Sequence, residues 1–182
     1  MTAIATTPIP AGSTWTVDPV HSTVGFAVKH MVVATFRGQF DRYDATLTAA
    51  EDGTLRLTGS VDADSIAVKD ENLAAHLQAP DFFDTERFPK VTFDSTLVRA
   101  DNGELIVDGE LTIKGTTRAI EARGTITEPA VTFGDLEKVG VELEAIVDRT
   151  EYGLDWNAPL PKGGFALANE VKLIVNLELA RA

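Results

Sequence analysis

The 182-residue chain contains no cysteine. This absence excludes disulfide bonds, a thiolate nucleophile and zinc sites with cysteine ligands. The chain has only three histidines, and no HxH or HxxxH pair occurs among them. Metal sites commonly use closely spaced ligands of this kind. We therefore predict no metal site and no cofactor.

Positive charge is also scarce, since 16 Lys and Arg residues face 28 Asp and Glu residues and the formal net charge is -12. An anionic surface repels nucleic acid phosphates and acidic lipid headgroups. We expect no nucleic acid partner and no stable membrane insertion, and no apolar run has the length of a transmembrane segment. The charge favours a neutral or cationic small molecule as partner.

The first residues do not resemble a targeting signal. The segment MTAIATTPIPAGS contains two prolines and has neither a basic region nor a continuous apolar stretch. We interpret residues 1–12 as a flexible lead-in to one domain over residues 13–182, and we expect a cytoplasmic protein.

Alternation of apolar and polar residues with a period of two dominates the rest of the chain. This alternation is typical of antiparallel strands that bury one face. In the second alternating segment, residues 36–48, the apolar residues change from even to odd positions near Asp41. This change predicts a β-bulge that bends a long strand. About eight segments share the alternation: 24–28, 36–48, 55–61, 91–99, 105–113, 117–127, 139–147 and 171–179.

One segment has helical spacing instead. In KDENLAAHLQAPDFF the apolar residues recur at helical intervals, Asp70 is a candidate N-cap and Pro80 a stop. The sequence predicts one short helix in an all-β chain.

The strands can close into a sandwich with a filled interior or into an eight-stranded barrel that holds one small ligand. Four glycines, Gly38, Gly59, Gly109 and Gly124, share the inward parity and leave space, which favours a cavity. A sheet that bends at these glycines has the same pattern. Alternation alone therefore predicts a barrel or a sandwich.

Asp18, His21 and Ser22 are the residue types of a catalytic triad within five positions. No strand–turn–helix elbow presents the serine, however, and neighbouring residues of an extended chain diverge. We interpret this segment as a turn in which Asp18 and His21 fix the start of the first long strand.

His30 and Arg149 each end an apolar row on the inward parity. A buried guanidinium without partners is costly, so such a group either reaches water at a rim or contacts the polar head of a ligand. Phe82, Phe83 and Trp156 lie beside the helix or in a long connection. They fit an apolar lid over a barrel mouth, or an ordinary core.

Several motifs in order resemble the YceI-like proteins, a bacterial family with a lipocalin-like fold, from about Ser13 to the C-terminus. The motifs are Trp15-x-Val17-Asp18-Pro19-x-His21-Ser22, Phe26-x-Val28-x-His30-Met31, Gly38-x-Phe40, Ser65-Ile66, His76-Leu77, Asp81-Phe82-Phe83-Asp84, Phe88-Pro89, Phe93-x-Ser95, Gly109-x-Leu111-Thr112-Ile113-Lys114-Gly115-x-Thr117, Arg149-x-x-Tyr152-Gly153 and Asn169-Glu170-Val171.

The resemblance implies an all-β fold, an extended eight-stranded antiparallel barrel with a tunnel for a long apolar chain. Members of the family are associated with polyisoprenoid, isoprenoid-quinone or fatty-amide ligands and often form dimers. The family implies no general set of catalytic residues.

We therefore hypothesise a non-enzymatic protein that carries or sequesters a long-chain isoprenoid-like lipid, as a homodimer. Two alternatives remain open at this stage. One is an enzyme that isomerises or hydrolyses a lipophilic substrate with His30 as acid or base. The other is an interaction module with a packed core. The predicted ligand-binding residues are Phe26, Val28, His30, Phe40, Leu57, Phe82, Phe93, Leu111, Leu143, Arg149, Trp156 and Leu173.

Overall fold

The computed structural model describes residues 7–182. Alternating apolar residues form twelve strands over this range, together with one α-helix and three short 3₁₀ turns. The strands are β1 (Ser13–Val17), β2 (Thr23–His30), β3 (Ala34–Phe40), β4 (Tyr43–Ala49), β5 (Leu55–Asp62), β6 (Ile66–Ala67), β7 (Lys90–Asp101), β8 (Glu104–Ile113), β9 (Thr116–Ile126), β10 (Ala130–Val131), β11 (Glu137–Asp148) and β12 (Leu167–Arg181). The helix α1 spans Glu71–Gln78, and the 3₁₀ turns span Ala63–Ser65, Phe133–Asp135 and Arg149–Tyr152.

Eight strand positions close into an antiparallel barrel, which confirms the predicted fold. Hydrogen bonding runs in the order β11–β9–β8–β7–β5–β4–β1–β12, and β12 pairs with β11 to complete the ring. Toward the other end of β12, β2 replaces β1 as its neighbour, and β3 pairs with β2 in turn. Full closure leaves few exposed edges.

A bend is present at Asp41, as predicted, but it separates two strands, β3 and β4, in place of the predicted β-bulge within one strand. The Asp41 backbone N–H donates to the Ser65 carbonyl at 3.0 Å, and the Arg42 N–H donates to Ser65 Oγ at 3.0 Å. The Arg42 guanidinium also pairs with Asp62 at 3.0 Å. The bend lets one long segment pair with β5 below and with the short β6 above.

One end of the barrel is closed by packed side chains. The Trp15 side chain is fully buried there, and its Nε1–H donates to Ser13 Oγ at 2.8 Å. The predicted lead-in of residues 1–12 lies partly outside the described residues, and of the remainder Ile9 is buried in the same cluster. We call this part, defined by Ile9, Trp15, Leu47, Val107 and Leu179, the packed half.

The other end is covered by α1 and by the connection from the Arg149–Tyr152 turn to β12. The predicted cap is confirmed, since Asp70 Oδ1 accepts a hydrogen bond from the Leu73 N–H at 2.9 Å. The helix ends two residues before Pro80, as predicted. Among residues 7–182 no helix has the length and apolarity needed to cross a bilayer.

Candidate functional site

A cavity of about 490 Å³ occupies the half of the barrel below α1. This volume falls within the roughly 300–1,000 Å³ that small-molecule sites occupy. The cavity reaches down to Leu57, Leu143 and Leu177 and stops above Trp15 and Leu179. We call the part that contains it the hollow half.

The cavity is therefore closed at its lower end by the packed half, which we call its floor. The expectation of a tunnel holds for one half of the barrel, because in the other half the inward side chains fill the interior. Interiors packed in this way leave no room for a ligand.

All twelve predicted binding residues line this cavity: Phe26, Val28, His30, Phe40, Leu57, Phe82, Phe93, Leu111, Leu143, Arg149, Trp156 and Leu173. The nine that lie on strands converge because they share the inward parity, whereas Phe82, Arg149 and Trp156 reach the cavity from turns and connections. That they contact a ligand stays a prediction.

The inward glycines do not open space in the way expected. A Cβ added at Gly38 would come within 2.6 Å of the Phe26 ring, and one added at Gly109 would collide with the Phe93 ring. Each glycine is thus covered by an aromatic ring from a neighbouring strand. A Cβ at Gly124 would overlap the Glu142 backbone, so this glycine allows a close approach of β9 and β11.

The exception is Gly59, which lines the cavity and has the Asp44 carbonyl oxygen 3.3 Å from the position of an added Cβ. The expectation was wrong for three of the four glycines, because neighbouring rings or backbone occupy their space. The hollow remains where small residues face the axis, notably Ala45, Ala122 and Ala145.

Aromatic rings form a lid over the cavity, and they also belong to a core cluster in which Phe82 is buried beside Leu77, so the two interpretations of these rings overlap. The His76 ring lies edge-on to the Phe82 and Trp156 rings, with centroid distances of 4.8 and 5.0 Å. The Phe83 ring packs on the edge of Phe40 at 5.8 Å. Such edge-to-face pairs stabilise beyond simple burial.

Lys114 joins the two segments that carry these rings. Its ammonium donates to the Pro80 carbonyl at 2.5 Å and to the Gly153 carbonyl at 3.2 Å. Because Pro80 follows α1 and Gly153 precedes the connection to β12, this one side chain holds both parts of the lid against the β8–β9 turn.

Arg149 is buried and is hydrogen-bonded to backbone carbonyls. Its Nε–H donates to the Ala168 carbonyl at 2.9 Å, and its Nη1 donates to the carbonyls of Leu154 at 2.5 Å and Trp156 at 2.9 Å. Burial lowers the pKa of Arg149, while the charges of Asp148 and Asp155 act in the opposite direction. These bonds anchor the connection that carries Trp156.

Two buried polar atoms near this anchor have no hydrogen-bond partner among residues 7–182, namely Arg149 Nη2 and Tyr152 Oη. Both residues line the cavity, and burial raises the pKa of Tyr152. Leaving such groups unsatisfied is costly. The site is therefore apolar with a small polar cluster on one wall.

His30 lies at the end of β2, which is separated by β12 from the end of β11 where Arg149 follows. It is exposed and pairs with Leu167 of β12 and Ala34 of β3. This position matches the alternative in which a polar group ends an apolar row at a solvated rim.

The Asp18–Ser22 segment forms a turn on the outside of the barrel, as interpreted. Asp18 Oδ1 accepts from the Val20 N–H at 3.0 Å, and His21 Nδ1 lies 2.9 Å from Asp18 Oδ2. Ser22 Oγ accepts a hydrogen bond from the Glu178 N–H at 2.9 Å, so the hydroxyl is bonded to the backbone of β12.

Asp18, His21 and Glu178 bring three potential metal-ligand atoms within 4.8 Å of one another, which local spacing did not predict. The Lys138 ammonium already bridges this cluster, since it pairs with Glu178 and lies 3.3 Å from Asp18 Oδ2. The hydrogen bond to His21 lowers the pKa of Asp18 to about 2, and the same bond raises the pKa of His21.

Known proteins share this architecture. The sequence profile of the YceI-like domain matches residues 15–179. The chain belongs to the YceI-like family. A YceI-like relative, the UPF0312 protein SA2479 of Staphylococcus aureus strain N315, is 31% identical over 172 residues, which cover 91% of this chain and 96% of the relative.

Solved structures with the same YceI-like fold include BcnA of Burkholderia cenocepacia, with a TM-score of 0.75 at 20% identity over 89% of this chain and 98% of BcnA. A polyisoprenoid-binding domain from Saccharophagus degradans has a TM-score of 0.68 at 12% identity over 91% of this chain and 97% of that domain. At these identities the likeness shows the fold alone.

The YceI-like cavity also uses residues that were not among the predicted twelve. Ile113 and Val171 share the inward parity of predicted neighbours and were identifiable from it. Leu154 lines the cavity from the long connection, where no periodicity signals orientation, and Leu167 lines it from the first position of β12. His76 lies on the face of α1 that also carries Leu73 and faces the cavity.

Proposed function

We propose that the protein binds the chain of a long apolar lipid in its hollow half, without catalysing a reaction, as a carrier or sequestering protein. One observation carries the proposal. An apolar cavity of about 490 Å³, closed below by a packed floor, lies on the inward face of a YceI-like barrel.

The energetics of burial favour a chain over a compact polar ligand. Each buried methylene contributes roughly 0.8 kcal/mol, so a five-carbon prenyl unit contributes roughly 4 kcal/mol before the cost of ordering. A site lined by Val28, Leu111 and Leu173 has few polar groups that could select a headgroup. Affinity then depends mainly on how much chain fits above the floor.

A polyisoprenoid, an isoprenoid quinone and a fatty amide all present such a chain. The Saccharophagus degradans domain is a polyisoprenoid-binding domain, which supports the first of these as the ligand to examine first. The twelve predicted residues are the proposed contacts. A homodimer and a cytoplasmic location stay predictions.

The enzyme alternative has less support from the site. His30 is exposed at the rim and forms no ion pair within residues 7–182 that would hold it as an acid or base. His30→Ala is expected to weaken lipid binding only slightly, because this contact lies at the exposed rim, whereas an enzyme that used His30 as acid or base would lose turnover.

The proposal is tested by organic extraction and lipid mass analysis of the purified protein, with native mass spectrometry in parallel. The blocked variant is Ala122→Phe, which places a ring just above the floor, because Ala122 is buried and lines the cavity. The matched control is Ala119→Phe, an exposed position on the same strand.

We expect wild type and Ala119→Phe to carry a lipid with a long apolar chain, and Ala122→Phe to fold without it. Wild type that carries no lipid and takes up neither geranylgeraniol nor a fatty amide in vitro would rule out the proposal.

A further inference from the structure

An exposed apolar surface lies at the lid end of the barrel and includes part of the connection that Arg149 anchors. Met31, Val32 and Val33 form the tip of the β2–β3 hairpin and are 41%, 64% and 84% exposed. Phe165, in the connection to β12, is 59% exposed. Large exposed apolar side chains that cluster mark interaction sites, whereas single ones need no explanation.

These two segments form one continuous surface, which we call the lip. The Met31 N–H donates to the Ala166 carbonyl at 2.7 Å, and a Cβ added at Gly164 would lie 3.2 Å from Val32 Cγ2. The lip also borders the cavity, because Met31 and Ala166 line it. A molecule that contacts the lip therefore stands at the cavity mouth.

The backbone of the tip is unusual. Met31 and Val32 have φ angles of 52° and 66°. A β-branched residue rarely adopts this left-handed region, and such strain persists mainly at functional sites. Val32 is also 64% exposed, so burial of its side chain does not compensate for the strain.

The charge of the lip is opposite to that of the whole chain. The protein has 28 acidic residues, yet none occurs in residues 19–40 or in residues 156–169. Lys29, Arg37 and Lys162 lie within these two segments and are exposed. Over the described part of the chain, these three cations form no salt bridge.

An apolar tip flanked by unpaired lysine and arginine matches the chemistry of an anionic bilayer surface, where aliphatic groups enter the acyl boundary and cations meet lipid phosphates. We propose that the lip docks reversibly on anionic phospholipid membranes. The net charge of -12 opposes non-specific binding, so docking through the lip would orient the cavity mouth toward the bilayer.

The closed end of the barrel provides a matched control surface. Val131 and Phe133 are 68% and 101% exposed there, and Glu128, Asp135 and Glu137 surround them in sequence. The two ends thus present similar apolar residues with opposite local charge. If the lip docks on membranes, only substitutions in the lip should reduce vesicle binding.

The test is flotation of the full chain with vesicles of phosphatidylcholine alone or mixed with phosphatidylglycerol. Wild type should float with the mixed vesicles, bind phosphatidylcholine vesicles at least tenfold less, and dissociate as salt is raised. Val33→Asp and Phe165→Asp should each reduce binding at least tenfold. Lys162→Gln should reduce it about fivefold.

Val131→Asp and Phe133→Asp should leave vesicle binding unchanged, and circular dichroism should show that all of these surface variants fold. Val32→Asn separates docking from folding, because asparagine accepts the left-handed backbone. This variant should melt higher than wild type yet bind vesicles more weakly.

Wild type that fails to bind mixed vesicles, or equal losses from Val33→Asp and Val131→Asp, would overturn the proposal. So would a sedimentation experiment in which Val33→Asp dissociates a dimer, since a second copy would then cover the lip. The measurement needs no cavity ligand, so it stands or fails independently of the proposed function.

Discussion

The two halves of the barrel are built from the same strands but differ in how tightly their inward side chains pack. On β12, Leu179 is fully buried against Trp15, whereas Leu173, six positions earlier on the same face, is half-buried and lines the cavity. The difference comes from what enters each half. Trp15 and Ile9 fill one end, while small residues such as Ala122 leave the other end open.

The halves also differ in how the chain covers them. Trp15 closes the packed half from within β1, by a side chain that belongs to the barrel wall. The hollow half is closed by α1 and a long connection, which are held by Lys114 and by aromatic edges. Segments with few buried apolar contacts open more readily than the core. A ligand is therefore expected to enter through the lid side.

The largest expected effect contrasts the two leucines. Leu179→Ala should lower the free energy of unfolding by about 3–4 kcal/mol, because it creates a cavity in a packed region. Leu173→Ala should cost only about 1–2 kcal/mol, since its side chain already borders a void. Urea unfolding of the ligand-free proteins measures both, and equal losses would contradict the division into halves.

The same pair separates stability from binding. Leu173→Ala should weaken binding of geranylgeraniol about tenfold, since it removes apolar contacts with the chain. Leu179→Ala should leave the affinity unchanged when it is measured well below the melting temperature. Fluorescence titration that follows Trp156, which lines the cavity, provides the readout.

A glycine pair sharpens the comparison further. Gly124→Ala should destabilise by about 1–3 kcal/mol, because the added methyl overlaps the Glu142 backbone. Gly59→Ala should change stability by less than about 1 kcal/mol, since Gly59 lines the cavity and its added methyl meets only the Asp44 carbonyl at 3.3 Å and the Ala45 Cβ at 4.0 Å. Thermal melting distinguishes them, and a larger loss at Gly59 would contradict this packing.

Loosening the lid should change kinetics more than stability. Lys114→Met removes the hydrogen bonds to the Pro80 and Gly153 carbonyls but keeps the apolar stem. We expect bound lipid to be released about fivefold faster, with faster amide exchange in residues 79–84. Lys172→Met, which removes an exposed pair with Glu144, is the control and should release lipid at the wild-type rate.

The smallest effect concerns pH and the outer turn. The pKa of Asp18 is lowered to about 2, so its contribution to stability is present above its ordinary value of 3.8 and is lost as pH falls through about 2. The pKa of His21 is raised, so its contribution is present below its ordinary value of 6.5 and is lost as pH rises above that value.

Asp18→Asn should therefore return the pKa of His21 toward 6.5, as measured by NMR titration of the imidazole. Lipid binding should not change, because this turn lies outside the cavity-lining residues. A His21 pKa that stays raised would assign the shift to Glu178 instead.

The alternation of apolar and polar residues with a period of two predicted many of the residues that line the hollow half. The parity of Phe26, Leu111 and Leu173 placed them on one inner surface, and Asp70 marked the helix start. The change of parity near Asp41 marked the bend between β3 and β4. These features depend on neighbours along the chain, which the sequence displays directly.

The packed half could not be predicted in this way. Leu179 and Leu173 both point into the barrel. Leu179 lies in a filled interior because Trp15, which is distant in sequence, packs beside it, and local alternation does not reveal this contact. The prediction that the inward glycines open space was wrong for the same reason. Whether Gly109 opens space depends on the cross-strand position of Phe93, which strand register sets and local pattern does not.

Lipid chains are expected to enter the hollow half of the barrel and to stop at the packed floor. Isotope-filtered NMR of methyl-labelled protein with unlabelled geranylgeraniol tests this expectation most directly. We predict contacts from the prenyl chain to the methyl groups of Val28, Leu111 and Leu173, and none to Val139 or Leu179. Contacts to Leu179, or a chain seen only on the outer surface, would contradict the account.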